Sequence, residues 1–398
     1  MAWIALGIVA LHLAVWFGVL GVLYRRHSGL VPLLPSSGEA RLAEAPPVAV
    51  IVPARDEEKF IGQAVRSLLA QDYPAFHVVV ANDHSTDRTG EILAAIAREH
   101  RGGRLTVLDV PGLPPGWMGK NHAVFNAVRH APADTELYLF CDADVIHEPA
   151  TLRRAVFALQ QDKADLLGLS PRLDCVGFWE NAILPLLIHL GVCKLNPRNF
   201  NDPSKNEAVA LGAFGLIRRP VYEKWGGHEA IKGEVIDDLA MGFMTKRAGG
   251  RIAFLRDPRA IHLRMYSNRG EIIRGFRKNM HTAVGGSVAR MAGFAVGLAA
   301  VHLGPVAALG LLAAAGFPGG AAPALAAVAA WLAPGVALHH RVGMQCAMKP
   351  LVVALAYPLG VLAVLEIMAR SSWMGAWHGV VDWRGRRIEQ PEQQVQIF

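Results

Sequence analysis

The apolar residues of this chain are gathered at its two ends. Residues 3–23 form one uncharged apolar run and residues 291–369 a second apolar block, while the stretch between them has the mixed charge of a water-soluble domain. About 20 consecutive apolar residues are what a helix needs to cross a bilayer. The hydrophobic share of 52% therefore reflects membrane segments at the ends rather than an unusually large core.

No positive charge precedes the first run, whereas Arg25 and Arg26 follow it. A signal peptide carries the opposite order and a small-residue cleavage site. The expectation is an uncleaved anchor over residues 1–24, with the chain from Arg25 onward starting in the cytoplasm. Residues 25–47, with four prolines, read as a linker. The C-terminal block, 286–370, divides into segments near 291–316, 321–338 and 350–369, followed by a basic tail at 371–398. Three crossings would put that tail outside, against its charge. Two crossings and a re-entrant or interfacial last segment, helped by Pro358 and Glu366, are expected instead.

The net charge of +7 reads as membrane-surface charge, because Arg25, Arg26, Arg370, Arg384, Arg386 and Arg387 flank apolar segments. No basic stripe interleaved with aromatics crosses the middle of the chain, which argues against a nucleic-acid partner. Cys141, Cys175, Cys193 and Cys346 lack zinc-type spacing and are expected as free thiols. His339, His340, Met344, Cys346 and Met348 read as a loop between apolar segments, not as a soft-metal site, and His262, His281 and His378 lack ligand-like spacing.

Between the ends the pattern alternates strand and helix. Strands are expected at 48–54, 76–81, 105–110 and 136–141, and helices at 57–71, 87–100 and 120–129. This order predicts an α/β domain over 48–285 with a mostly parallel, twisted sheet and helices on both faces. Residues 176–195 are apolar but interrupted by Glu180, Asn181 and Pro185. They fit either a helix lying in a membrane interface or a buried helix of the domain.

Ligands of such sheets sit beyond the C-terminal strand ends, and that is where the polar clusters fall. Asp142-Ala143-Asp144 puts two carboxylates at the end of a buried run, which by itself reads as a solvated strand end or a helix cap, and which also suits Mg²⁺ or Mn²⁺ bridging to a diphosphate. Asn82-Asp83, followed by His84 to Arg88, is a βα turn in which Ser85 or Thr86 caps a helix, or in which Asp83 binds a base or ribose. The loop Pro115 to Asn121 opens a helix at Lys120 and favours an anion. Asp237 and Asp238 stand at a helix start, where they favour the helix dipole or supply a general base.

These clusters form an ordered series: PARDEE at 53–58, NDHSTD at 82–87, PPGWMGKNHA at 114–123, DAD at 142–144, NDP at 201–203, IDDLAMG at 236–242, RMY at 264–266 and GFRKN at 275–279. A Trp-x-Gly-Arg-type tail follows at 383–387. The series resembles family 2 glycosyltransferases of the GT-A fold, in particular bacterial membrane members acting on lipids: hopene-associated, carotenoid-type and, more distantly, ceramide glucosyltransferases. The resemblance implies that Pro53, Arg55, Glu57, Asp83, Lys120 and Asp142 hold a nucleotide-sugar, a UDP-sugar by preference. It implies that Asp144, with Asp142, holds the metal, and that Asp238, supported by Asp237, is the catalytic base. Arg274 and Arg277 stand where relatives carry an Arg-Trp signature that engages acceptor or diphosphate. The missing tryptophan points to single addition rather than processive synthesis. Asp56 replaces the usual asparagine, which leaves its role open.

The implied activity is an inverting, metal-dependent hexosyltransferase of the bacterial inner membrane. Its domain would face the cytoplasm, and its acceptor would be a hopanoid, carotenoid or other terpenoid hydroxyl. A polyprenyl-phosphate acceptor and a non-catalytic scaffold are the alternatives.

Overall fold

A computed structural model of the chain describes residues 31–100, 102–194, 199–205, 207–283, 287–316, 321–342, 349–378, 380–383 and 386–389, with 3, 4, 7–11, 14, 15 and 18 near the start. The expected anchor at 3–23 lies largely outside the described residues. Val9, which is described, packs against Ala308, Leu312, Ala327 and Ala330.

A strand that is apolar at every position belongs in the middle of a sheet with both faces covered. β1 (Val48–Ala54) is such a strand. It pairs in parallel with β2 (Phe76–Asn82) on one side and β4 (Leu137–Phe140) on the other, and β2 pairs in parallel with β3 (Leu105–Asp109). Alternate residues of β1 enter opposite layers. Val48, Val50 and Val52 pack with Ile61, Val65 and Leu68 of α1 (Ile61–Leu69) and with Leu93 and Ile96 of α2 (Thr89–Glu99). Ala49 and Ile51 pack with Ala123, Val124 and Ala127 of α3 (Gly119–Arg129).

Beyond β4 the chain adds β5 (Val145–His147), α4 (Thr151–Gln161), β6 (Leu166–Ser170), β7 (Arg172–Leu173), β8 (Gly215–Arg218), β9 (Ile252–Arg256) and β10 (Ile261–Leu263). The main sheet runs in the order β3-β2-β1-β4-β8-β6-β9, with β8 antiparallel to both neighbours and the other pairs parallel. The expected mostly parallel α/β sheet is therefore the observed one. β5, β10 and β7 form a small second sheet.

The expected linker is docked on the sheet at residues 32–35. Arg256 donates its backbone N–H to Pro32 (3.0 Å) and accepts from Leu34 (3.1 Å), while Arg154 Nε donates to the Pro35 carbonyl (2.7 Å). β9 is the last strand of the sheet, and an open edge is a liability that a strapped-on segment removes.

Within the stretch 176–195, residues 180–187 are buried. In α5 (Phe178–Lys194), Ala182, Ile183, Leu184 and Leu186 are buried, and so are Glu180 and Asn181. Glu180 tolerates this because Arg264 grips it with two bonds, of 2.8 and 3.0 Å. After α6 (Arg219–Lys224), α7 (Gly227–Ala230), α8 (Asp237–Arg247) and α9 (Arg269–Ala283) come three long apolar helices: α10 (Val288–Ala314), α11 (Ala321–Val342) and α12 (Pro350–His378). α5 lies on α12 so closely that a Cβ at Gly360 would run into the Ala182 carbonyl oxygen. Only a glycine permits that approach.

The last apolar segment is one helix, unbroken through Pro358. Its charged residue does not interrupt it, because Glu366 pairs with Arg269 of α9 and with Arg370 one turn on, 2.9 Å away. Val288–Ala314 and Pro350–Met374 are long and apolar enough to cross a membrane, and the middle helix is shorter in its apolar part.

Candidate active site

The loops after β1 and β2 clasp each other. Asp56 donates its backbone N–H to Ser85 Oγ (3.1 Å), and its carboxylate accepts the Thr86 N–H (2.7 Å). Glu58 and Arg88 repeat the exchange: Glu58 N–H donates to Asp87 (3.0 Å), and Glu58 Oε2 accepts the Arg88 N–H (3.2 Å). Glu57 N–H donates to Thr89 Oγ1 (2.8 Å). Asp56 and His84 adopt left-handed φ values of 52° and 53°, which the cross-bonds stabilise. The clasp gives Asp56 its role and explains why α1 begins at Ile61 rather than at 57. Ser85 and Thr86 serve the clasp, and Asp87 Oδ1 takes the Thr89 N–H at the helix start (2.9 Å). Between the loops Arg55 donates to the Asp83 carbonyl (2.7 Å), and its guanidinium stands 3.9 Å from the buried Asp83 carboxylate.

Beside this cluster one pocket collects residues from four distant stretches: Pro53, Lys120, Asp142 and the pair Asp237 and Asp238. Lys120 Nζ stands 2.9 Å from Asp142 Oδ1 and 3.1 Å from Asp237 Oδ2. Burial opposes its charge, yet Asp142, Asp237 and Asp238 hold it well above the usual lysine range. Asp238 is oriented by two backbone donors, Gly212 N–H to Oδ2 (2.9 Å) and Leu239 N–H to Oδ1 (2.8 Å). Gly212 also accepts the Asp142 N–H (2.9 Å), so one glycine ties the two acidic segments of the site together. A Cβ there would lie 2.6 Å from Asp142 Oδ2 and 3.1 Å from Lys120 Nζ, so the backbone comes this close only because the side chain is absent.

The approach to the acidic pair is pinned from α3. Buried Asn121 donates its amide to the carbonyls of Ile231 (2.7 Å) and Glu234 (3.0 Å), and Met118 N–H donates to Lys232 (2.7 Å). At the far end of α8, Lys246 Nζ donates to the carbonyls of Asn199, Asp202, Lys205 and Glu207 at 2.6 to 3.1 Å, which shapes the loop carrying Asn201-Asp202-Pro203.

Burial, with the neighbouring Asp237 charge, pushes the Asp238 carboxyl up to about 6 from 3.8, against the pull of Lys120. A group raised in this way favours folding below its unfolded value, and loses that contribution as pH climbs through about 6. A base works in its unprotonated form, so if Asp238 has that part, activity is expected to rise with pH through about 6. A kcat/KM profile that levels off already near pH 4, the ordinary carboxylate range, would count against this.

The structure thus brings Pro53, Lys120, Asp142, Asp237 and Asp238 into one pocket and sets Arg55, Glu57 and Asp83 beside it on the loops after β1 and β2. Asp144 follows Asp142 by two residues but is not among the lining residues, and Arg274 and Arg277 lie on α9, Arg274 exposed, also outside the lining. Gly212 and His228 line the pocket without belonging to any motif singled out from the sequence. For Gly212 no sequence signal exists. For His228 the preceding Gly226-Gly227 pair is one, because both adopt positive φ.

A family model described as glycosyltransferase like family 2 matches residues 46–280. The chain is 28% identical over 359 residues to 4,4'-diaponeurosporenoate glycosyltransferase of Staphylococcus aureus (strain MRSA252), covering 87% of this chain and 89% of the relative. The protein of the same name from strain USA300 is 27% identical over 358 residues, with the same coverage. Among solved structures, the mannosyltransferase PcManGT from Pyrobaculum calidifontis, in complex with GDP-Man and Mn²⁺, superposes with a TM-score of 0.54 at 22% identity, covering 94% of this chain and 99% of that one. That likeness speaks for the GT-A fold.

Proposed function

The chain belongs to the glycosyltransferase like family 2, and on that premise we propose that it transfers a sugar, with inversion, from a nucleotide-sugar, preferably a UDP-sugar, to a hydroxyl of a membrane terpenoid such as a carotenoid or hopanoid. The observation that carries this reading is the grouping of Lys120, Asp142, Asp237 and Asp238 around one pocket at the C-terminal edge of the sheet. Asp238, fixed by two backbone N–H groups, takes the acceptor's proton as the acceptor oxygen attacks the anomeric carbon. The bond from that carbon to the diphosphate breaks on the opposite side. Lys120, kept charged by its carboxylate neighbours, meets the negative charge building on the departing diphosphate. Arg55, Glu57 and Asp83 serve the nucleotide, and Arg274 and Arg277 serve the acceptor or the diphosphate.

The donor set fits a hard divalent cation. Three carboxylates of the pocket face one lysine, which leaves an excess of negative charge. Among the described residues no three carboxylate, histidine or cysteine groups stand ready to enclose an ion. Asp142 and Asp144 would therefore hold Mg²⁺ or Mn²⁺ together with water and substrate oxygens, the usual arrangement at phosphate sites. Bound there, the ion would neutralise diphosphate charge. EDTA is expected to abolish transfer and either ion to restore it, and Asp144→Ala is expected to lose activity at any metal concentration. Full activity in EDTA would remove the metal assignment.

A membrane location, where a lipid acceptor would be at hand, is supported by the outer face of α12. Leu351, Leu355, Leu359 and Leu362 recur at helical spacing and are all exposed, while Val353, Tyr357, Val361 and Val364 on the other face are buried. An exposed leucine stripe of this length suits hydrocarbon. We read the chain accordingly as a multi-pass protein of the bacterial inner membrane, with residues 48–285 on the cytoplasmic face. The deciding assay incubates the purified chain in lipid nanodiscs with labelled UDP- or GDP-hexoses and carotenoid or hopanoid alcohols. A labelled terpenoid that survives mild acid supports the proposal, and an acid-labile polyprenyl product favours a phosphate acceptor. Binding of no nucleotide-sugar would leave a scaffold.

A further inference from the structure

Deep in the pocket stands a histidine that the chemistry above does not use. His228 is 2% exposed and lines the pocket together with Asp237, Asp238, Phe140 and Val124. Gly226 and Gly227, with φ of 90° and 57°, turn the chain tightly over Tyr222, and a Cβ at Gly227 would meet the Tyr222 ring at 2.8 Å. The turn aims the imidazole at the phenol. Tyr222 Oη accepts the backbone N–H of His228 at 3.0 Å and also lies 3.0 Å from its Nδ1.

That double contact settles the tautomer. A phenol carries one hydrogen, and Tyr222 is buried, with His228 as its only hydrogen-bonding neighbour among the described residues. Its oxygen already accepts the backbone N–H, so its hydrogen is satisfied only by donation to Nδ1. Nδ1 is then an acceptor and Nε2 carries the ring hydrogen. Burial pushes the imidazole down to about 4, so the ring is neutral near pH 7. Phe140 packs on it at 4.9 Å between ring centres, and among the described residues none accepts from Nε2. The side left to Nε2 is the pocket.

We propose that His228 is a specificity-determining residue, presenting Nε2–H as a fixed, uncharged donor to one hydroxyl of the donor's sugar ring, with Tyr222 as the positioning residue that sets the tautomer. The inference rests on the transferase reading above. A neutral donor suits a hydroxyl better than a diphosphate, for which Lys120 is the charged partner. The walls beside it, Val124, Phe140 and Met241, suit the faces of a hexose. A site built to bond a hydroxyl discriminates against the analogue that lacks it, because its own buried group is then left unpaired.

The test uses the full-length chain in nanodiscs, the UDP- or GDP-hexose that the wild type turns over best, and the monodeoxy analogues of that donor. In the wild type one deoxy position is expected to cost about tenfold in kcat/KM. His228→Asn keeps an oxygen for the Tyr222 hydroxyl but offers nothing at the Nε2 position. It is expected to lose about tenfold with the intact donor and to show no further loss with that one deoxy donor. His228→Gln, whose amide N–H reaches the Nε2 position, is expected to recover the wild-type pattern, with both variants melting near the wild type. Should His228→Asn not fold, Tyr222→Phe, which frees the tautomer, is expected to shrink the same deoxy penalty to about threefold. Wild-type penalties at every position in His228→Asn, or in Tyr222→Phe, would overturn the role of His228 alone. A wild type that transfers from no nucleotide-hexose would overturn the function on which it rests.

Discussion

Asp238→Asn is expected to slow sugar transfer by about a thousandfold, within the range that a positioned general base contributes, while donor affinity stays within about threefold. The carboxylate accepts two backbone N–H groups, from Gly212 and Leu239. An asparagine can accept one of them and turns its own N–H₂ on the other. A loss of about 1–2 kcal/mol in stability is therefore expected beside the kinetic effect. Calorimetric titration with the nucleotide-sugar and a melting curve separate the three quantities. Asn at 238 with turnover within tenfold of wild type would show that another group takes the proton, and Asp237 would be the next to test.

Arg264→Met is expected to destabilise the protein by about 3 kcal/mol, the low end for stripping the partner from a buried carboxylate, because Arg264 itself is a third exposed. Glu180 is 1% exposed among the apolar residues of α5, and its carboxylate takes two bonds from that one guanidinium. Adding Glu180→Gln to the Arg264 variant should return more than half of the loss, because the uncompensated charge is then gone. Thermal or denaturant unfolding of the single and double variants checks both numbers. Equal stability of Arg264→Met and wild type would mean that water reaches Glu180.

How much of this was readable in advance follows from the range of the forces involved. β1 to β4 and the helices between them were legible because their apolar periodicity is local, and so were the motifs at their C-terminal ends. α5 was ambiguous for the opposite reason. Whether Glu180 breaks a helix or is buried depends on Arg264, 84 positions away, and no periodicity reports such a partner. The docked path of residues 32–35 depends on β9, more than 200 positions on, and the continuity of α12 depends on Arg269 matching Glu366. Within the site, Lys120, Asp142, Asp237 and Asp238 were legible as charged residues at element ends. Gly212 was not, since its contribution is a backbone N–H and an absent side chain. Asp56 was read as a departure from the family pattern, and its function emerged only with the partner loop in view.

One helix links two parts of the molecule. α8 carries Asp237 and Asp238 in its first turn and Lys246 near its last, about 12 Å apart along the axis at 1.5 Å per residue. With Lys246 Nζ within 2.6 to 3.1 Å of four carbonyls between 199 and 207, that loop and the acidic pair lie at the two ends of one helix. Displacing the loop while those bonds hold pulls on the helix whose first turn carries the two carboxylates, so a disturbance at 199–207 is transmitted to the acidic pair.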